Sequence, residues 1–220
     1  MKNLAKTFLT AGEQERVKHC VQEVEKKTSG EIVPMVVSAS YHYPTASLLG
    51  ALIVSVLIAT AATALDAIFK PWGALNLRDL WVFPAVFGVF FLAAHELIRG
   101  VPALKRLFIT TAEITEEVEE AALTGFFRNG LSRTRDRTGI LIFVSVFERR
   151  AYVLADQGIN AKVSTDTWRQ VVDLVVQGIR ESQPAEGICR AVTRCGELLA
   201  EHFPIKPGDT NELKNLIIDG

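Results

Sequence analysis

The chain has 220 residues, of which 49% are hydrophobic and 22% charged, and its formal net charge is -1. This balance excludes a chain-wide positive field, so we expect no nucleic-acid partner. The three cysteines are odd in number and lack CxxC spacing, which argues against a disulfide framework and a zinc site. We interpret them as small buried residues in a reducing compartment.

The first forty residues predict a helix followed by a strand. Thr10 and Glu13 have the spacing of a capping box, and apolar residues then recur at helical spacing from Val17 to Val24. The segment EIVPMVVSAS follows as a strand. Because Pro34 has no backbone N–H, we place this strand at a sheet edge or Pro34 at a bulge.

Two apolar stretches, residues 46–65 and 80–98, come next. A helix of twenty residues is about 30 Å long, which is the thickness of the hydrocarbon core of a bilayer. The connection between the stretches is short, so the two helices are expected to be antiparallel neighbours. The alternative is a hairpin buried in a soluble protein, but the remaining residues are too few to cover it. We therefore predict a transmembrane helical hairpin within residues 41–100.

Flanking residues indicate how the hairpin lies in the bilayer. Tyr41, Trp72 and Trp81 stand where aromatic side chains meet the membrane interface. Lys/Arg residues are slightly more frequent outside the hairpin than in its connecting loop, where only Lys70 and Arg78 occur. This bias predicts that both termini are cytoplasmic.

The second half of the chain alternates between helical and strand patterns. A helix is predicted from Thr110 to Arg128, and the run GILIFVSVF predicts a strand buried on both faces. The segment AYVLAD returns as a second strand after a short polar turn, which is typical of an antiparallel hairpin. Two amphipathic helices follow, and residues 207–220 are expected to form an irregular tail.

These elements form one α/β domain in two parts, residues 1–40 and 101–206. The membrane hairpin is an insertion into a crossover connection between the two parts. Without the hairpin the domain has about 160 residues, which suffices for a core of its own.

Two acids are candidate metal ligands. Asp156 ends a predicted strand and Asp166 begins a predicted helix, so together they could hold a hard cation such as Ca²⁺ or Mg²⁺. The alternative gives each a structural role, with Asp156 in a turn and Asp166 at a helix N-terminus.

Arginines form a second candidate site. Arg149 and Arg150 lie in the predicted hairpin turn and Arg137 precedes the adjoining strand, so we expect the three side chains to be close together. They would contact phosphate or anionic lipid headgroups. The alternative is a solvated basic edge paired with acids such as Asp136 and Glu148. The sequence has no P-loop or dinucleotide-binding glycine pattern.

The segment RTGILIFVSVFERRAYVLADQGINAKV, residues 137–163, resembles the TPM domain, a family named for a thylakoid lumen protein, a photosystem II repair protein and a nematode receptor modulator. TSGEIVPMVV fits the first helix-to-strand junction of that family, and HFPIKPGDTNEL looks like the end of a bacterial membrane-bound branch. The resemblance implies a TPM-like α/β/α sandwich, here interrupted by the transmembrane hairpin.

The resemblance implies functions that differ between branches. A plant member is described as an acid phosphatase, whereas others assist photosystem repair or modulate a receptor. This chain has Ala155-Asp156-Gln157-Gly158 where the commoner pattern has a glycine-tyrosine-glycine turn. Our first hypothesis is a noncatalytic accessory of the bacterial inner membrane that binds or helps maintain membrane protein complexes. The alternative is a metal-assisted phosphatase, with Ca²⁺ or Mg²⁺, at the membrane surface.

Overall fold

The computed structural model describes residues 4–69, 80–205 and 211–219. The chain divides into two compact units, one formed by Met1–Tyr41 with Ile114–Gly220 and the other by His42–Glu113. The division falls where hydrophobic patterning changes from alternating α/β segments to long uncharged stretches.

The first unit is built on a four-stranded sheet. Its strands, in the spatial order β3-β2-β1-β4, are β3 (Arg150–Ala155), β2 (Gly139–Ser145), β1 (Glu31–Val37) and β4 (Ile217–Asp219). β1 pairs in parallel with β2 and with β4, whereas β2 and β3 are antiparallel. Every residue of β2 is buried, so the predicted central strand and the predicted hairpin are both confirmed.

Pro34 lies in an interior strand, so the predicted edge position of β1 is wrong. Glu31 donates its N–H to Thr138 on the β2 side, and alternation therefore directs the nitrogen of Pro34 toward the β4 side. β4 pairs only with residues 35–37 of β1, so it does not extend alongside Pro34. The missing donor thus removes no bond from the sheet, which is why proline is tolerated there.

The tail predicted to be irregular contributes β4, so that prediction is wrong for Ile217–Asp219. The carbonyl of Asp219 accepts a hydrogen bond from the N–H of Ser38 at 3.1 Å. A strand of three residues is too short to show an alternating pattern in a sequence, and its pairing partner is far away along the chain.

Helices cover both faces of the sheet, which confirms the predicted α/β/α sandwich. On one face, Ile32, Ile140 and Ile142 pack in a core with four helices. These helices are α1 (Leu4–Phe8), α2 (Ala11–Glu25), α8 (Thr165–Arg180) and α9 (Pro184–His202). On the other face, α6 (Thr111–Arg128) approaches so closely that a Cβ on Gly125 would lie 2.9 Å from Met35 Sδ.

Side chains define where the helices begin. The predicted capping box of α2 is confirmed, because Thr10 N–H donates to Glu13 Oε2 at 2.8 Å and Glu13 N–H donates to Thr10 Oγ1 at 3.4 Å. The Glu13 carboxylate accepts hydrogen bonds from the N–H and the hydroxyl of Thr10, and these two bonds hold the pKa of Glu13 below its usual value. Asp156 caps the short helix α7 (Gln157–Asn160) in a similar way.

The second unit contains α3 (Pro44–Phe69), α4 (Val82–Gly100) and α5 (Pro102–Arg106). A Cβ on Gly50, near the start of α3, would lie 2.9 Å from Ile98 Cδ1, near the end of α4. The two long helices are therefore antiparallel. Both are long and apolar enough to cross a membrane, with mean hydropathies of 2.4 and 1.6. The predicted interface and loop residues Lys70, Trp72 and Arg78 lie outside the described residues.

Candidate functional site

The register of the β2–β3 hairpin separates the three arginines predicted to lie together. Ser145 pairs with Arg150 and Ile140 with Ala155, so Arg149 and Arg150 lie at the turn. Arg137 precedes β2 and is at the other end, beside the last residues of β3. The predicted proximity is wrong. The whole length of β2, seven residues or about 20 Å, separates Arg137 from Arg149 and Arg150.

Asp156 and Arg137 share the end of the hairpin opposite the turn. Asp156 is buried, and its Oδ1 accepts the N–H of Gln157 at 2.6 Å. A Cβ on Gly158 would lie 2.9 Å from the carbonyl oxygen of Arg137, so this turn packs directly on the backbone of residue 137. Asp156 Oδ2 is buried and has no hydrogen-bond partner among the described residues. That oxygen could accept a hydrogen bond from a ligand or bind a cation.

Asp166 has different surroundings from Asp156. It lies in the first turn of α8, as predicted, but its side chain is 81% exposed and forms an ion pair with Arg169 at 3.0 Å. Within the described residues, no group of three or more His, Cys, Asp or Glu side chains is placed to hold a metal ion. Of the two acids, Asp156 has the buried oxygen that would favour a hard cation.

Glu148 is fully buried in the hairpin turn, although its position suggests a solvated acid. Its Oε1 accepts the N–H of Ser40 at 3.0 Å, and its Oε2 accepts the hydroxyl of Ser145. Glu148 therefore joins the turn to the chain that leaves β1 and does not pair with the neighbouring arginines. The sequence carries no signal for this role, because Ser40 is brought to the turn only by the parallel pairing of β1 and β2.

A polar cleft of about 490 Å³ opens at the carboxyl ends of β1 and β4. Its lining includes Tyr41, Glu117, Glu120, Arg128 and Asp219. The carboxyl ends of strands are where open α/β sheets commonly bind ligands. The mixture of three acids and one arginine suits a polar ligand without defining its class.

A second depression, which we call the edge groove, follows β3 at the margin of the sheet. It has a volume of about 650 Å³ and lies between residues 151–155 of β3 and the residues Trp168, Val172 and Asp173 of α8. β3 is the terminal strand of the sheet on this side, and most of its residues are only partly buried. An open strand edge of this kind can pair with another chain.

The backbone of β3 presents unpaired groups to the edge groove. Asp156 donates its N–H to Gly139 at 2.9 Å, so every second residue of β3 before Asp156 bonds to β2. Ala151, Val153 and Ala155 are the intervening residues, and their N–H and C=O groups therefore point away from β2. In the described part of the chain, no hydrogen bond reaches the outward groups of Ala151 and Val153.

A third cavity, the arginine pocket, adjoins the edge groove at the start of β3. Its volume is about 520 Å³, and apolar side chains of Phe8, Val176 and Ile179 contribute to its lining. Ala151 lines both depressions, so they adjoin at this residue.

Three arginines, Arg149, Arg150 and Arg180, also line this pocket. None of them forms an ion pair with an acid in the described residues. Arg149 has a positive φ of 53°, an uncommon conformation for a residue with a side chain. The sequence indicated Arg149 and Arg150 but not Arg180, because Arg180 belongs to α8 and reaches the turn only through the packing of that helix.

The fold and the groove define a class: an α/β/α domain with an open edge strand, interrupted by an apolar helical pair. Residues 105–198 match the family model of the TPM domain, so the chain contains a TPM domain. The match includes the segment 137–163 that carries the resemblance, whereas the two supporting segments, residues 28–37 and 202–213, lie outside it.

A solved structure has the same fold. BA42 protein from the psychrophilic bacterium Bizionia argentinensis is 20% identical, with a TM-score of 0.57, and the alignment covers 97% of this chain and 96% of that chain. At this identity the likeness shows the fold alone. None of the curated proteins matches the chain.

Proposed function

We propose that the protein is a noncatalytic accessory of the membrane that binds or helps maintain other membrane protein complexes. The observation that carries this proposal is the open edge of β3, where Ala151 and Val153 direct unpaired backbone groups into a groove beside α8. A strand edge next to a helix can accept an extended segment of another protein through backbone hydrogen bonds. A TPM domain with such an edge is suited to binding.

The two long helices support a location in the bilayer. At 1.5 Å per residue, the 26 residues of α3 span about 39 Å and the 19 residues of α4 about 28 Å. Only 22% and 6% of their most apolar windows are buried. Large apolar surfaces that remain exposed commonly mark membrane or protein contacts. The lipid bilayer is therefore the first partner in this proposal.

The charge distribution supports cytoplasmic termini in a bacterial inner membrane. Arg99 lies in the last turn of α4, and Lys105 and Arg106 follow the helix, whereas the connecting segment carries Lys70 and Arg78. In a cysteine-free variant, Lys18→Cys should react with an impermeant maleimide only in inverted vesicles, and Asn76→Cys only in intact spheroplasts. The opposite labelling pattern would contradict this orientation.

Photo-cross-linking in native membranes tests the binding function. A photoreactive residue at Asp173, which lines the edge groove, should give discrete adducts with membrane proteins, whereas one at Arg194 on α9 should not. Val153→Pro removes an outward N–H without removing a bond to β2 and should reduce the adducts several-fold. Val153→Ala is the matched control and should retain them. Equal adducts in all variants would overturn the proposal.

The buried Asp156 favours a second candidate, a metal-assisted phosphatase. Its Oδ2 has no hydrogen-bond partner in the described residues, and a cation such as Ca²⁺ or Mg²⁺ would satisfy it. A bound cation would supply charge stabilisation for a phosphoryl group. Arg137 precedes the same end of β2 and could contact the phosphate.

Calorimetry and a phosphomonoester assay test this candidate on the full chain in nanodiscs. Asp156→Asn should abolish Ca²⁺ or Mg²⁺ binding and hydrolysis of p-nitrophenyl phosphate. Asp166→Asn is the matched comparison and shows whether the exposed Asp166 carboxylate contributes to metal binding or hydrolysis. Absence of both metal binding and hydrolysis in the unmodified protein would exclude the phosphatase.

A further inference from the structure

We propose that the edge groove and the arginine pocket together recognise the free C-terminus of a partner protein, bound as an extended strand antiparallel to β3. This inference rests on the proposed accessory function and defines its partner. The ligand is a chain end that has an apolar final residue and a free carboxylate.

The two ends of the groove give the strand its direction. At the end of β3, the outward carbonyl of Ala155 already accepts a hydrogen bond from Asn160 Nδ2 at 2.7 Å. At the start of β3, the groove adjoins the arginine pocket at Ala151. An antiparallel strand runs from the first of these ends to the second, so its C-terminus arrives beside the arginines.

Arginines without acidic partners provide the charge that a terminal carboxylate requires. Arg149 and Arg180 line the pocket and form no ion pair in the described residues. Alternation along β3 directs Ala151 toward α8 and the side chain of Arg150 toward the opposite face. We therefore assign the carboxylate to Arg149 and Arg180, whose guanidinium groups can form charge-assisted hydrogen bonds.

The apolar lining explains why the final residue should be apolar. Phe8, Val176 and Ile179 surround the interior of the arginine pocket, next to the position of the carboxylate. Side chains of an added strand alternate in direction, so the residue two positions earlier would face Val172 and Trp168 in the edge groove. The site should therefore favour ligands with apolar side chains at the final residue and at the residue two positions before it.

A fatty acid or an anionic lipid also combines an apolar chain with an anion. Such a ligand would fill the arginine pocket but leave the outward N–H and C=O groups of Ala151 and Val153 without partners. A peptide C-terminus uses the pocket and the strand edge together, and for this reason it is the occupant that we assign.

The experiment uses the full chain in phosphatidylcholine nanodiscs. A display library of random C-terminal octapeptides is selected on it, and the enriched sequences are synthesised with a free carboxylate or a C-terminal amide. Fluorescence anisotropy should show that the amide binds at least about tenfold more weakly, a difference of roughly 1.4 kcal/mol. Arg149→Gln and Arg180→Gln should each weaken the binding of the free-acid peptide by a similar factor. Arg194→Gln, on the exposed side of α9, is the control and should have no effect.

The outcomes separate this inference from the function on which it rests. If acid and amide bind equally while Val153→Pro abolishes binding, the C-terminal assignment is overturned and the accessory function stands. If no peptide is enriched and decanoate binds in an Arg180-dependent manner, a lipid-type ligand replaces the peptide. If no peptide binds and Val153→Pro leaves membrane cross-links unchanged, both proposals fail.

Discussion

The indole Nε1 of Trp168 donates a hydrogen bond to Asn160 Oδ1 at 3.1 Å. Asn160 in turn donates from Nδ2 to the carbonyl of Ala155 at 2.7 Å. This chain of two bonds links α8 to the last residue of β3 and closes one end of the edge groove. An incoming strand therefore has to pair with residues 151–153.

Asn160→Ala should destabilise the protein by about 1 kcal/mol, because a typical net hydrogen bond contributes roughly 0.5–1.5 kcal/mol and the Ala155 carbonyl loses its donor. Denaturant unfolding followed by circular dichroism measures the change. Trp168→Phe keeps the ring and removes only the donor, so its effect should be smaller. An Asn160→Ala variant as stable as the wild type would show that water replaces the bond without loss.

Gly178 should not tolerate a side chain, because α8 and α9 cross there with their backbones in contact. A Cβ on Gly178 would lie 2.4 Å from the Cα of Gly187. We expect Gly178→Ala to cost roughly 1–3 kcal/mol, the range for overpacked interiors. Gly12 in α2 is the matched control, since a Cβ there meets nothing within 4 Å. Gly12→Ala should stabilise the protein by up to about 1 kcal/mol. Equal changes in stability at Gly12 and Gly178 would contradict the close contact between α8 and α9.

Glu148→Ala should be strongly destabilising. The substitution leaves the Ser40 N–H and the Ser145 hydroxyl without their acceptor in a buried turn, and such losses cost about 2–4 kcal/mol. Glu148→Gln keeps one acceptor oxygen and should lose less. Thermal unfolding of both variants provides the comparison. If the two variants were equally stable, the carboxylate would not hold the turn.

Cys20 should react as a thiolate near neutral pH. A hydrogen bond from the thiol of Cys189 lowers the pKa of Cys20 to about 7, whereas burial raises the pKa of Cys195 to about 12. Because the shift favours the thiolate, alkylation of Cys20 by iodoacetamide should be half-maximal near pH 7 and fall as the pH decreases. Cys189→Ala removes the donor and should move the midpoint up toward about 8.5.

Cys195→Ala is the control for this titration and should leave the midpoint unchanged. A Cys20 midpoint that does not respond to Cys189→Ala would show that the two thiols do not interact.

Local patterns in the sequence predict the elements well. Thr10 and Glu13 mark the start of α2, and the apolar run of β2 identifies a central strand, because both signals depend on neighbours along the chain. Pro34 correctly indicates a position without a backbone hydrogen bond on one side, but its strand, β1, lies inside the sheet. β1 becomes an interior strand because residues 217–219 pair with it, and no local sequence pattern predicts that pairing.

The candidate sites were less accessible to sequence reasoning because they depend on register and packing. Arg137 and Arg149 are close along the chain, yet the hairpin register places them at opposite ends of β2. Arg180 lies far along the chain from Arg149, yet both line one pocket. The burial of Glu148 likewise depends on Ser40, which only the sheet brings near.

The central claim, a binding function at the β3 edge, is tested most directly in cells that make the protein. Quantitative native electrophoresis would compare the abundance of membrane complexes in the wild type, a deletion strain, and strains carrying Val153→Pro or Asp156→Asn. The accessory function predicts that Val153→Pro reproduces the deletion pattern and that Asp156→Asn resembles the wild type. The reverse result, with Asp156→Asn reproducing the deletion and Val153→Pro unchanged, would contradict it.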